Sequence, residues 1–282
     1  MNYRHAFHAG NFADVVKHAV LARILLHLRQ KPAPFRVIDT HSGAGVYDLA
    51  GPEAARSGEW RDGISRLLTA RLAPKIRDLL APYLDAVAAF NRENHLTCYP
   101  GSPALARQWL RAQDRLIACE LDPAAVTALA RNLRGDRRIK ILSIDGWTAL
   151  SAYLPPKERR GVVLIDPPFE QPGEFARLAE ALATAHRKWA TGTYLAWYPI
   201  KDARDNAAFA RRVARLGIAK ILRAELTIDA APATNRLRGA GLLVINPPWT
   251  LVGELAALLP ALAPVLSPDG KGGSRIGWLA VE

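Results

Sequence analysis

Four apolar residues, Val162 to Ile165, run directly into Asp166-Pro167-Pro168-Phe169, so an acid, two prolines and an aromatic ring stand at the end of what reads as a buried strand. Proline has no N–H and a fixed φ, which makes this corner rigid and poor in donors. Those properties suit an adenine N6 amine. Its lone pair is delocalised into the ring, so it attacks poorly until acceptors draw on both of its protons. The Asp166 carboxylate and the Pro167 carbonyl can be those acceptors, while Phe169 offers a face on which an extruded base can stack. The bland alternative is a turn with a buried aromatic, and the order of acid, prolines and ring at a strand end weighs against it.

A near-copy follows at Asn246-Pro247-Pro248-Trp249. Two such corners cannot both be catalytic. In a 3-2-1-4-5 strand order the Asp166 corner ends the fourth strand, beside the first, whereas the Asn246 corner ends the seventh and lies away from it. The second copy therefore reads as a turn that starts a helix.

Three other strand ends carry ligand-type residues. The first ends in Asp39-Thr40-His41-Ser42-Gly43-Ala44-Gly45, a glycine turn that lets backbone approach a nucleotide-like ligand, although its spacing is not the phosphate-cradling GxGxxG. The second ends at Glu120, placed to accept from both ribose hydroxyls; its distance from the glycine turn is far beyond the usual spacing of about 20 residues, so the match rests on strand order. After the third come Asp145, an acceptor for the amine of a cofactor adenine, and Gly146, which leaves room for the ring. Taken singly, each acid reads equally well as a loop cap.

Apolar runs that can position these residues recur at residues 36–39, 115–120, 139–144, 161–165, 193–198, 221–228 and 241–245. Their unbroken hydrophobicity suits strands buried on both faces, and alanine-rich helical segments alternate with them, predicting a mostly parallel, doubly wound sheet of seven strands. From Tyr47 to Pro100 the pattern is helical and of mixed charge with no convincing strand, which predicts a helical insertion. Residues 276–281 are a candidate for one last short strand after a Gly/Pro/Ser-rich loop.

The chain has 282 residues and a formal charge of +12. Between His186 and Arg238 eleven basic side chains face four acids, the footprint of phosphate binding, and a nucleic-acid partner is favoured over a merely basic surface. No apolar stretch is long enough to span a membrane, and charges and histidines interrupt the N-terminus, so neither span nor signal peptide fits and a cytoplasmic protein is expected. Cys98 and Cys119 lack metal or disulfide-framework spacing. Four of seven histidines fall within the first 27 residues, but His5 and His8 lack a ligand set with metal spacing, and no metal is expected.

With these residues in view, the sequence resembles the RlmJ family, bacterial 23S ribosomal RNA adenine-N6 methyltransferases. The resemblance is carried by Tyr3-Arg4-His5-Ala6-Phe7-His8-Ala9-Gly10-Asn11, by Ala13-Asp14-Val15, by Lys17-His18, by Asp39 to Gly45 and by the Asp166 to Phe169 run, and it extends over most of the chain. It implies a Rossmann-like class I methyltransferase using S-adenosyl-L-methionine, with residues 1–46 and 101–282 as the methyltransferase domain and residues 47–100 as an inserted helical subdomain. It implies cofactor contacts at His18, His41, Ser102, Glu120, Asp145, Gly146 and Asp166, and a substrate contact at Tyr3. The family target it suggests is adenine 2030 in ribosomal RNA numbering. Phe169 departs from the tyrosine the family often has after the double proline, losing a hydroxyl but keeping the stacking face.

The polar start, with Tyr3, Arg4, His5 and His8, is expected to fold over the entrance, Tyr3 touching the substrate and Arg4 or Lys17 meeting a flanking phosphate. A monomer is expected. Three other readings stay open at this point. A DNA adenine methyltransferase would share the Asp166 corner but lacks a recognisable base-reading module here. A glutamine or small-molecule methyltransferase would leave the basic excess unexplained. A non-enzymatic RNA-binding protein would not need three strand-end acids beside a glycine turn.

Overall fold

A computed structural model of the chain describes residues 3–92, 95–229 and 237–281; Arg236 of the basic set and the first two residues of the N-terminal segment lie outside them. In chain order the elements are α1 (Phe12–Arg29), β1 (Arg36–Asp39), β2 (Val46–Asp48), α2 (Pro52–Ser57), a kinked π turn (Arg61–Ser65), α3 (Arg66–Thr69), α4 (Pro74–Ala88), β3 (Cys98–Pro100) and α5 (Ser102–Trp109). There follow β4 (Arg115–Glu120), α6 (Pro123–Asn132), β5 (Ile139–Ser143), α7 (Gly146–Ala152), β6 (Gly161–Ile165), α8 (Glu174–Lys188) and β7 (Thr193–Ile200). The chain closes with α9 (Ala203–Ala214), β8 (Ile221–Thr227), β9 (Gly239–Ile245), α10 (Leu251–Leu266) and β10 (Gly273–Ala280).

The main sheet runs β10-β8-β9-β7-β6-β1-β4-β5. Strands β5, β4, β1, β6 and β7 are parallel neighbours, and β9, β8 and β10 then pair antiparallel. The expected mostly parallel α/β sheet is present, with β1 flanked by β4 and β6; it has eight strands, the seven expected and the candidate last strand near residues 276–281. The eighth is β10, an edge strand with no fully buried residue, so it lacks the continuous apolar run that marks the interior strands. The Tyr47–Pro100 segment also contains strand: β2 and β3 form a three-residue antiparallel ladder at its two ends, too short to show a period.

Strand β6 is wholly buried and sends alternate residues to opposite layers. Val162 and Leu164 join the apolar cluster of α1, α5 and α10; Val163 and Ile165 join that of α7, α8 and α9. Ile64, Leu67, Leu80 and Tyr83 from the inserted helices are buried in the first cluster, so the insertion extends the core over α1. Several helices begin at side-chain caps directly after strand ends: Asp122 accepts from Ala125 N, Asp145 from Thr148 N and Asp202 from Arg204 N. Because β9 is antiparallel to β7, with Ile245 opposite Tyr194, its C-terminal end reaches the edge of the sheet opposite the β6 end. There Asn246 donates from Nδ2 to the Ala190 and Gly192 carbonyls at 2.8 and 2.9 Å, which holds a turn together.

Candidate active site

Two clefts, each of about 430 Å³, open at the C-terminal ends of β1, β4 and β6. They share Tyr3, His5, Lys17, Asp166 and Pro168. One is lined by the glycine turn, Ser102 and Glu120, the other by Pro167, Phe169, Trp197 and Lys201. Asp166 therefore stands at the seam between them.

In the first cleft, Gly43 has φ 57° and a Cβ there would lie 2.0 Å from Tyr47 Oη. Its N–H donates to Glu120 Oε2 at 2.8 Å, and Leu121 N and Asp122 N donate to Oε1 at 2.7 and 2.9 Å. The carboxylate is thus fixed by backbone donors and keeps lone pairs toward the cleft. Behind it, buried Asp39 accepts from Ser102 Oγ at 2.6 Å; burial pushes its carboxyl up to about 7, against the opposing pull of that hydrogen bond.

Two histidines at this cleft are held neutral. Burial pushes His18 down to about 3, and its Nδ1 pairs with Tyr99 Oη at 2.7 Å. Burial likewise pushes His41 down to about 4. Thr40 Oγ1 gives its proton to the Leu164 carbonyl at 2.9 Å and accepts from His41 Nδ1 at 2.7 Å, which leaves His41 Nε2 as an acceptor. Asp145 and Gly146 stand beyond His41, off the lining of the cleft. Asp145 caps α7 and lies 3.9 Å from Arg177, so it performs the capping role that the bland reading assigned it, and Gly146 packs on the Thr40 carbonyl.

The seam is built by α1. Asn11 caps it, and Asp14, Lys17 and His18 fall three and four residues apart on one face. Lys17 Nζ donates to Asp14 Oδ1 at 2.8 Å and to Asp166 Oδ2. Burial alone would lower the Lys17 ammonium, but Asp14 and Asp166 outweigh it and hold it above its ordinary range, so Lys17 is a cation. Asp14 is 1% exposed and also accepts from His5 Nε2 at 3.0 Å and Gly10 N at 2.9 Å. Burial opposes its charge, yet His5 and Lys17 hold it well below the usual carboxylate range.

Tyr3 pairs through its hydroxyl with His5 Nδ1 at 2.7 Å and stacks on His8, with ring centroids 5.4 Å apart. Arg4 is largely exposed and lies 3.5 Å from Glu53. Phe169 takes φ 50° and meets Trp197 edge-on at 5.6 Å, so the two rings frame one wall of the second cleft.

Tyr3, Arg4, Lys17, His18, His41, Ser102, Glu120, Asp166, Pro167 and Phe169 all line one cleft or both. Sequence reasoning missed Asp14 as the hub of the seam, Tyr47 under the glycine turn and Trp197 in the second cleft. Asp14 stands in a motif that carries the resemblance but had no role attached to it, Tyr47 starts the segment read as the insertion, and Trp197 lies inside an apolar strand run. Among the described residues no group of three or more His, Cys, Asp or Glu could hold a metal ion, and no helix is long and apolar enough to cross a membrane.

The family described as ribosomal RNA large subunit methyltransferase D, RlmJ, matches residues 32–280. The ribosomal RNA large subunit methyltransferase J of Escherichia coli (strain K12) is 38% identical over 282 residues, all of both chains. The protein of the same name from Haemophilus influenzae (strain ATCC 51907 / DSM 11121 / KW20 / Rd) is 38% identical over 283 residues, again all of both chains. The crystal structure of a Legionella pneumophila str. Philadelphia 1 protein superposes with a TM-score of 0.87 at 34% identity, covering 96% of this chain and 98% of that one.

Proposed function

The chain belongs to the RlmJ family of ribosomal RNA large subunit methyltransferases, and from that premise we propose that it methylates the N6 amine of an adenine in 23S ribosomal RNA. The observation that carries the reading is the position of Asp166-Pro167-Pro168-Phe169 at the seam of two clefts.

The glycine turn, the backbone-fixed Glu120 carboxylate and neutral His18 and His41 fit the first cleft to S-adenosylmethionine: close backbone approach, a ribose acceptor and uncharged walls. When bound, this cofactor supplies a methyl group on a sulfonium, open to attack by an amine. Ala124, Ala125 and Ala128 line the same cleft beside Glu120 and offer an apolar surface for the adenine ring. Asp145 lies where it can accept from the amine of that ring only if the ring extends past His41.

In the second cleft the target base stacks on Phe169 with Trp197 at its edge, and its N6 amine meets the Asp166 carboxylate and the Pro167 carbonyl. Those acceptors draw on the two amine protons as the nitrogen attacks, and the Asp166 carboxylate is placed to take the proton released. Lys17, a buried cation between two carboxylates, orients Asp166. A phosphate reaches it only by displacing one of them, so flanking phosphates fall to Arg4 and Lys201. One chain completes both clefts, so a monomer suffices, acting in the cytoplasm where its substrate is made.

The test is methyl transfer from labelled cofactor to large-subunit RNA, genomic DNA and protein in parallel. Label is expected in RNA, at adenine N6. Asp166→Ala should reduce kcat to below a few per cent of the parent while cofactor Kd stays within about tenfold, because amine activation acts mainly in the transition state. Asn246→Ala should keep the parental rate. Transfer to DNA or protein instead of RNA, or a collapse of activity in folded Asn246→Ala, would overturn the reading.

A further inference from the structure

The inserted helices carry seven basic and seven acidic residues between Tyr47 and Pro100, so they hold none of the excess positive charge of the chain. An electrostatic platform for RNA needs a basic excess. What the insertion does contact is the N-terminal segment. Ile64 N donates to the Gly10 carbonyl at 2.8 Å. Glu59 pairs with His8 Nδ1 at 2.9 and 3.0 Å and accepts from Asn11 Nδ2 at 2.9 Å.

The approach is closest at Gly63, inside the π turn, where the backbone leaves helical geometry (φ −102°, ψ −107°). A Cβ on Gly63 would lie 2.0 Å from the Gly10 carbonyl oxygen and 2.6 Å from the Asn11 carbonyl carbon, so any side chain must push that segment away. The kink ends one helical run and begins the next, which opens the backbone at Gly63 to that segment. From the turn a continuous path leads to the seam. The Gly10 carbonyl accepts from Ile64, the Gly10 N–H donates to Asp14 at 2.9 Å, and Lys17 donates to both Asp14 and Asp166. Tyr3 and His5, carried by the same segment, line both clefts.

We propose that the π turn and Glu59 form a seat that fixes residues 3–11 over the junction of the two clefts, making Glu59 and Gly63 positioning residues for methyl transfer. The inference rests on the function proposed above. Neither residue touches either substrate; each acts through the Gly10–Asn11 backbone and His8 on the placement of Tyr3, His5, Asp14 and Lys17. The insertion thus serves the geometry of the reaction, and the RNA track lies elsewhere.

The test begins with label transfer by the parent protein to large-subunit RNA, since a parent that transfers none overturns the functional reading and this one with it. With an active parent, Gly63→Ala, Glu59→Gln, His8→Ala and the double Glu59→Gln/His8→Ala variant are compared. The measurements are kcat, RNA KM and amide exchange of a peptide spanning residues 3–11. Each single change should lower kcat about tenfold with RNA KM within about threefold. Exchange in residues 3–11 should quicken while β1 and β6 keep parental protection. The double variant should be no slower than the slower single, because both changes remove one shared contact. A tenfold kcat loss that adds fully in the double variant, or a folded Glu59→Gln protein with parental kcat and exchange, would overturn the proposal. Should Gly63→Ala fail to fold, Glu59→Gln and the cycle with His8 still decide.

Discussion

Asp39 is a buried carboxyl with one strong donor, Ser102 Oγ, and a weaker contact from His41 N at 3.4 Å. Burial pushes it up to about 7, Ser102 opposes that shift, and the nearby Asp166 charge adds to it. An acid whose folded pKa is raised binds its proton more tightly in the folded state, so between about 4, its unfolded value, and about 7 the folded chain holds more protons. Stability from this group is therefore present at low pH and is lost as pH rises through that window, then levels off. Asp39→Asn keeps an acceptor for Ser102 and removes the titration. Measured without cofactor, the unfolding free energy of the variant minus that of the parent should grow from pH 4 to pH 7 and stay flat above. A difference that does not vary with pH would mean that Asp39 is ionised in the fold throughout.

At the scale of elements, the turn after β1 is where backbone conformation and ligand approach meet. Gly43 sits at φ 57° with Tyr47 Oη in the place of its Cβ, and its N–H holds Glu120. Gly43→Ala adds a left-handed penalty of about 1–2 kcal/mol and a clash with the tyrosine hydroxyl, so cofactor affinity should fall about tenfold or more. Adding Tyr47→Phe removes the clashing atom and should restore only part of the loss; calorimetric titration of parent, single and double variants checks this. Full affinity in Gly43→Ala would mean that the turn is not in contact with the cofactor. The glycine turn, the strand-end acids and the Asp166 corner were legible because each follows a strand whose apolar run is self-evident. The β2–β3 ladder was not, being three residues a side. Of β10 only the apolar end at residues 276–281 was legible, because its start at Gly273 falls in the Gly/Pro/Ser-rich stretch. The Asp14 hub was invisible for another reason: its partners at positions 5, 10 and 17 look like tail and helix until the fold turns them toward position 166. Asp145 caps α7, and its place after a strand fits a cap and a ligand equally in one dimension.

At the scale of the whole molecule, nine basic side chains stand against four acids between Lys201 and Arg238, and their arrangement says where RNA should run. Lys201 is exposed and lines the second cleft. Helix α9 buries Asn206, Phe209, Ala210 and Val213, which fixes its inner face. At 3.6 residues per turn Arg204, Arg211 and the C-capping Arg215 fall within about 40° of one another on the outer face. Arg212 lies off that stripe, 3.8 Å from Glu180. Lys201, Arg204, Arg211 and Arg215 thus form a line leading away from the base cleft, the spacing a phosphate backbone would follow. Each phosphate contact releases counterions and contributes about 0.7 to the slope of log K against log salt for single-stranded RNA. Replacing Arg204, Arg211 and Arg215 together by alanine should therefore lower that slope by about 2, whereas Arg212→Ala, which removes a charge already facing an acid, should change it by less than about 0.5. Binding isotherms of an RNA fragment at four or five salt concentrations give these slopes without any need for turnover. An unchanged slope in the triple variant would move the track to the opposite rim of the clefts, where Arg4 and Arg61 are the exposed cations beside the N-terminal segment.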